Sequence, residues 1–236
     1  GGLLRDLYPD FEDEVRSFIR DFPEKLKEIH TLLTKNRIWM DRTKDVGQIS
    51  KEDAINYSYT GPCLRATGVD RDLRKVEPYS SYDEFDFDVP VGSNGDAYDR
   101  YLVRMEETIQ SCRIVTQALD NLPDGPINVE SHKISLPSKQ DTYGHIEGLI
   151  HHFKIIMDGH GIQPSVGEVY CATESPNGEL GFYIVSDGSG TAYRVRVRPP
   201  SFFHFQAFDH LIRGGMMSDV VAVLGSLNVI AGELDR

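Results

Sequence analysis

Paired cysteines are absent from this chain. Cys63, Cys112 and Cys171 lie far apart in its 236 residues and no CxxC pair occurs. That excludes the ligand spacing of an iron–sulfur cluster, a zinc ribbon or a thioredoxin-like redox site. The odd number and the apolar neighbours predict buried free thiols in a reducing compartment. Long hydrophobic runs are also missing: no stretch reaches the roughly eighteen apolar residues of a membrane-spanning helix, and no signal-peptide pattern opens the chain. Positive charge is in deficit, with 25 Lys and Arg against 37 Asp and Glu and a net charge of −12. Such a surface repels phosphates and argues against nucleic acid as a partner. Neither GxGxxG nor GxxxxGK occurs, so no loop is built to cradle a nucleotide. Ser175 and Ser186 lack the context of a nucleophile elbow. An initiating methionine is missing too, and the opening Gly-Gly-Leu-Leu reads as a fragment or a processed product.

What is present is an ordinary globular composition, 39% hydrophobic and 26% charged, long enough for one large domain or two small ones. The densest signal runs from Gly167 to Phe202. Pro176–Asn177–Gly178 and Ser186–Asp187–Gly188 are turn signals. Leu180, Phe182 and Ile184 alternate, and Tyr193, Val195 and Val197 alternate with Arg194, Arg196 and Arg198. Period-two spacing predicts a small antiparallel sheet with one apolar and one basic face. Glu174 and Glu179 flank the first turn, where capping and surface pairing are the default for a pair of carboxylates.

Around that sheet the periodicity is helical. Phe11, Val15, Phe18, Phe22, Leu26, Ile29 and Leu33 form one stripe, which Pro23 is expected to kink or divide into two abutting helices. Ser50 starts a short helix over 51–57. Residues 60–94 read as a long irregular region in which Arg65, Asp72 and Arg74 pair with each other or with a partner. Asp96 caps a second long helix, with Asp99 three residues on as a capping box and a stripe of Tyr101, Met105, Cys112, Val115, Leu119 and Leu122. The matching lengths predict that the two long helices pack antiparallel. After an extended linker over 125–139, a third helix is expected from Thr142 to Asp158, stopped by Gly159. His145, His151, His152 and His160 are not spaced as a metal site, and a surface or partner-facing role suits them better. Ser201–Ile212 reads as one aromatic-rich helix. Ser218 caps the last helix, with Val220, Val221, Val223, Leu224 and Leu227 inward, and the apolar tail after it reads as docked. The fold class is therefore α+β, mainly helical with long antiparallel helices and a small antiparallel sheet near the C-terminus. Residues 1–139 form a long-helix bundle part with an extended loop region, and residues 140–236 form a C-terminal α+β module with the docked tail.

Several blocks carry a further signal: RIWMDRTKDVG, LRATGVDRDLRKVEPYSSYDEFDFDVPVGSNGDAYDRYLVRMEE, LIHHFK, ESPNGELGFYIVSDGSGTAYRVRVRPPSF and the terminal GELDR. Together they resemble the NuoD family of respiratory complex I, the NADH-quinone oxidoreductase, from one end of the chain to the other. The resemblance implies the fold of the nickel-iron hydrogenase large subunit without its metal, since no cysteine follows Cys171 to ligate one. It implies a component that walls the quinone cavity of a proton-pumping complex. Quinone is then the substrate, and no cofactor is bound by this chain, because NADH and the terminal iron–sulfur cluster are handled by partner subunits. The implied partners are the other peripheral-arm subunits (the iron–sulfur small subunit and a NuoC-like protein) and the quinone-site membrane subunit. The implied position is peripheral, on the cytoplasmic face of the bacterial inner membrane or the matrix face of the mitochondrial one.

The family's quinone-headgroup tyrosine and histidine lie upstream of Gly1–Gly2, so the chain reads as the larger, C-terminal part of such a protein with no catalytic residue of its own. Within the tail, Ile230 and Ala231 stand at positions that line the quinone pocket, and Asn228 replaces the aspartate common there. Glu174, Arg194, Arg196, Arg198 and Arg236 are cast as structural anchors inside the assembly. Glu174 or Asp187 would be the partner that a buried arginine requires. The alternatives are a solvated sheet face for the arginines and a tail that simply packs on the core. For the whole chain the alternatives are a non-catalytic scaffold or assembly protein of the same fold, and a free-standing hydrogenase-like enzyme, against which the missing cysteine ligands speak.

Overall fold

The first apolar stripe forms helix α1, Phe11–Ile29, which runs through Pro23 as one helix and closes in a π-helical turn at His30–Thr34. Pro23 removes a backbone donor, but it lies on a largely solvated helix, where water can satisfy the carbonyl it leaves free. The computed structural model describes residues 2–3, 5–131, 134–157 and 163–235. Short helices follow: α2, Arg37–Thr43, capped by the Asn36 side chain; α3, Lys51–Asn56, capped by Ser50; α4, Gly61–Arg65; and α5, Leu73–Val76, capped by Asp72. The expected irregular region over 60–94 thus contains two short helices and a 3₁₀ turn at Tyr82–Glu84.

The second long helix is α6, Ala97–Asp120, and Asp96 caps it by accepting from the Asp99 N–H. Asp99 does not return that bond as in a capping box. Its carboxylate accepts instead from the N–H groups of Ser93 and Asn94 and folds the preceding loop over the helix start. α1 and α6 run antiparallel, since Arg16 pairs with Asp120 at one end and Thr34 bonds Tyr101 at the other. The expected third helix is two: α7, Lys139–Gly144, and α8, Ile146–Ile156, with His145 extended between them. Gly148 makes the sharp reversal possible, because a Cβ there would stand 2.4 Å from the Asp141 carbonyl. Asp158, Gly159 and His160 lie outside the described residues.

The antiparallel sheet follows in the order β1 (Gly167–Ser175), β2 (Gly178–Ser186), β3 (Arg194–Arg198). Ser201–Ile212 is again two helices, α9, Pro200–Gln206, and α10, Phe208–Ile212, meeting at the fully buried Ala207. α11 covers Asp219–Leu227 and α12 covers Ala231–Leu234. Ser218 precedes α11 without capping it. Its hydroxyl accepts from Arg42, and the Asp219 carboxylate takes the Met216 N–H. Val223 and Leu227 point inward as expected, whereas Val221 is 76% exposed. The tail is tied down where Glu233 accepts from the Ser201 N–H and the Ile230 N–H donates to the Ser201 hydroxyl.

The chain forms two compact units. One draws on residues 2–11, 122–170 and 182–196, and the other on 12–121, 171–181 and 197 onward. The core lies in the second. Ile49, Ala54, Tyr59, Cys63, Leu64, Ala207, Leu211, Val223 and Leu227 pack there, with α6 lying against α11 and α4. Of the three thiols only Cys63 is buried; Cys112 is half-buried and Cys171 exposed.

Candidate functional site

α4 turns Arg65 inward until its side chain is 1% exposed. The turn before α4 is tight. Gly61 and Gly178 meet backbone to backbone, a Cβ on Gly61 falling 2.4 Å from the Gly178 Cα. The Arg65 guanidinium is then gripped by groups from three places in the chain. Nε donates to Glu107 on α6 at 3.0 Å, and Nη2 donates to the same carboxylate. Nη1 donates to Glu174 on β1 at 2.8 Å and to the Arg71 carbonyl at 3.0 Å. Asp72, fully buried, stands 3.6 Å from Nη1 and takes a two-pronged contact from Arg74, with Nε to Oδ1 at 2.9 Å and Nη2 to Oδ2 at 2.6 Å. Two guanidiniums thus face three carboxylates.

Burial opposes charge on Arg65, Asp72 and Glu174 alike, and the partners decide which way each moves. Burial would lower Arg65, but Glu107 and Glu174 outweigh it and hold the guanidinium above its usual range. Burial would raise Asp72, but hydrogen bonding from Arg74 and the charge of Arg65 hold it below the usual carboxylate range. For Glu174 burial wins, and the carboxyl is pushed up against the pull of Arg65. The Tyr79 hydroxyl accepts from the Glu174 N–H at 3.0 Å and steadies the strand beside it.

A cavity of about 490 Å³ opens beside this cluster, lined by Arg65, Arg74, Arg104, Glu107, Glu174 and Asn228 among others. A second, of about 570 Å³, shares Arg104, Thr108 and Asn228 with it, but its remaining wall is largely apolar, built from Trp39, Tyr101, Met105, Val221 and Ala222. Asn228 ends α11 with φ +55°, the left-handed conformation that asparagine adopts more readily than other non-glycine residues. Its amide locks onto Asn177: Nδ2 donates to the Asn177 Oδ1 at 2.6 Å, and the Asn177 Nδ2 donates back to the Asn228 carbonyl.

The family profile of the respiratory-chain NADH dehydrogenase 49-kDa subunit matches residues 1–236. The chain belongs to that family. It is 49% identical over its whole length to the D-type subunit of NADH-quinone oxidoreductase from Magnetococcus marinus and 52% identical to that of Methylacidiphilum infernorum. It covers 59% and 56% of those relatives, and so spans a little over half of their length. The C/D-type subunit of NADH-quinone oxidoreductase from Bdellovibrio bacteriovorus is 50% identical over the same 236 residues, which are 42% of that relative.

Within this complex I family member, the residues singled out from the sequence fall in different places. Glu174 is the buried partner of Arg65, and not of the β3 arginines. Arg198 donates to the carbonyls of Glu179 and Ser58 and to the Thr60 hydroxyl, and stacks over the Phe203 ring at 4.5 Å. Arg194 and Arg196 are exposed, but so are Tyr193 and Val195, while Val197 and Arg198 at the end of the strand are half-buried. Ile230 is 48% exposed and Ala231 is exposed, and neither lines the two cavities. Arg236 lies outside the described residues. Among the described residues, no group of three or more His, Cys, Asp and Glu side chains could hold a metal ion. No described helix is long and apolar enough to cross a membrane.

Sequence reasoning passed over Arg100, Arg104, Glu107 and His204. Arg100 and His204 are fully buried. Charged and polar residues in a helical stripe read as a solvated face, and only a tertiary partner tells otherwise. The available signal was spacing: Arg100, Arg104 and Glu107 follow one another at steps of four and three along α6.

Proposed function

We propose that this chain forms part of the quinone-reduction cavity of a proton-pumping NADH:quinone oxidoreductase, beside a terminal iron–sulfur cluster carried by a neighbouring subunit. The observation that carries this reading is the match of the whole chain to the 49-kDa subunit family, at about half identity to relatives named as the D-type subunit of NADH-quinone oxidoreductase. NADH oxidation and the cluster belong to partner subunits in this reading, and the hydrogenase-like fold serves as a scaffold for the cavity and not as a metal site. The chain works peripherally, among the other peripheral-arm subunits and against the membrane subunit at the quinone entrance.

Ile230 and Ala231 are the residues proposed to line the pocket. Their exposure supports a wall shared with another subunit, since an exposed apolar side chain outside both cavities is available to a surface beyond its own chain. Neither can move a proton, so their part is to exclude water and hold an apolar ring or tail. The Arg65 cluster is the fixed point behind this wall. Its contact with Glu174 holds β1, and the turn after β1 carries Asn177, which locks Asn228 two residues before Ile230.

The test is Ile230→Asp in the intact complex. A charge placed in an apolar pocket costs several kcal/mol unless paired. Inhibitor-sensitive quinone reduction should therefore fall at least tenfold, while NADH oxidation by ferricyanide stays within twofold of wild type, by the arithmetic of about 1.4 kcal/mol per tenfold. Unchanged quinone reduction would remove Ile230 from the pocket. Equal loss of both activities would point to failed assembly and favour a scaffold role.

A further inference from the structure

Among the described residues, two cations on α6 have no carboxylate partner. Arg100 is fully buried, and its three hydrogen-bond acceptors are neutral: Nη1 donates to the Gly95 carbonyl at 2.9 Å, Nη2 to the Gly47 carbonyl at 2.9 Å, and Nε to the Ser226 hydroxyl at 3.0 Å. One turn on, Arg104 donates through Nη1 to the carbonyls of Ser226 and Arg100. Neither guanidinium forms an ion pair with a described residue. Asp96, the acidic residue at the start of α6, accepts from the N–H groups of Asp99 and Asp45 and acts on Arg100 through its charge without a direct ion pair. A buried charge left without a counter-charge is strongly unfavourable.

A further atom, in contact with Arg104 and acting on Arg100 through charge, can carry negative charge. The Arg104 Nη2 donates to the Cys63 Sγ at 3.5 Å, and Cys63 is 0% exposed, on α4. From α9 comes His204, also 0% exposed. The Thr60 N–H points at its Nε2 from 3.4 Å. The imidazole acts on the Cys63 sulfur through charge and side-chain hydrogen bonding. Tyr59 completes the surroundings. Its hydroxyl donates to the His204 carbonyl, and burial pushes it far above its ordinary value, so it stays neutral. In its protonated form the Cys63 thiol donates to the Leu227 carbonyl, at the end of α11, at 4.0 Å.

We propose that Cys63 is carried as a thiolate, the buried counter-ion of Arg104 and Arg100, and that it is in this form that its sulfur attacks a soft electrophile. Burial alone would push the thiol up, but His204, Arg104 and Arg100 outweigh it and hold it down to about 6, against an ordinary 9.0. The thiolate is the nucleophilic form. With iodoacetamide the sulfur attacks the methylene carbon, the C–S bond forms as the C–I bond breaks, and iodide leaves.

The experiment measures the rate of iodoacetamide labelling of Cys63 in the intact complex between pH 5 and 9 by peptide mass spectrometry. The exposed Cys171 in the same digest serves as the comparison. Whether the reagent enters the closed protein or waits for a local opening, the midpoint is that of the closed state, because the reacting thiolate is drawn from a population whose protonation the closed state sets. A half-maximal rate near pH 6 and a plateau from pH 7 to 9 is the expected result. A rate still rising tenfold per pH unit from 7 to 8 would mean a neutral thiol and would overturn the proposal. Arg104→Lys should keep the midpoint and Arg104→Gln should move it upward. An unmoved midpoint in Arg104→Gln would remove Arg104 from the pair. The wild-type profile decides the central point even if neither variant assembles.

Discussion

Asp72 holds its place in the Arg65 cluster by charge, and charge can be titrated. Its carboxyl lies below the ordinary 3.8 in the folded chain. Its contribution to stability is therefore complete above that value and is lost as pH falls through the depressed folded value. Asp72→Asn should lower stability by about 3 kcal/mol at neutral pH, the scale for breaking a buried pair, and the gap to wild type should close only below about pH 4. Thermal melts of the full-length protein at several pH values read this directly. Glu174 has the opposite sign: its folded value is raised above the ordinary 4.5, so its ionisation already opposes folding as pH rises through that range. Glu174→Gln should accordingly lose less than Asp72→Asn at neutral pH, and an equal or larger loss would refute this assignment. The local part of the cluster was legible in the sequence, because Arg65, Asp72 and Arg74 fall within one short stretch. The remote part was not. Glu107 and Glu174 come from 42 and 109 positions away, and no pattern along the chain announces such a meeting. The anionic role proposed for Cys63 was hidden for the same reason: an isolated cysteine among apolar neighbours reads as a small hydrophobe.

The elements that were read correctly from the sequence are those whose causes are local. Stripes at steps of three and four placed α1 and α6, and Ser50 and Asp96 marked the starts of α3 and α6. The Asn-Gly signal found the hairpin between β1 and β2, where Gly178 takes φ +137°. What misled was an interruption or a register set by tertiary packing. The reversal at His145 depends on Gly148 lying against the Asp141 carbonyl, and the outward turn of Val221 depends on which side of α11 meets the core. Pro23 misled in the other direction, since a proline on a solvated helix leaves a carbonyl that water can satisfy. The hairpin offers a sharp test at this scale. A Cβ on Gly178 would lie 2.5 Å from the Thr60 hydroxyl and 2.9 Å from the Thr60 carbonyl carbon, at a φ that L residues rarely adopt. Gly178→Ala should cost about 2–3 kcal/mol in thermal or denaturant unfolding, by the scale of backbone strain. A change below about 0.5 kcal/mol, within the range of an ordinary surface substitution, would show that the strand yields without strain.

For the molecule as a whole, composition and spacing reach an α+β chain with a helical majority and stop there; the family came from long blocks of residue identity. The basic sheet face illustrates the limit. Alternation in β3 correctly separated Arg194, Arg196 and Arg198 from Tyr193 and Val195, but the apolar side of this strand is as exposed as the basic one. Which surfaces become interfaces depends on partners, and those are not written in the period of a strand. The chain covers 56–59% of two of its D-type relatives, and its work within a larger assembly is the proposal made above. The most direct test is purification of the intact gene product from membranes under mild detergent, assayed for NADH:quinone reductase activity and for iron. Co-purification of iron–sulfur partner subunits with inhibitor-sensitive quinone reduction is the expected result. A protein that purifies alone, free of iron and without that activity, would contradict the quinone-cavity account and leave a scaffold of the same family.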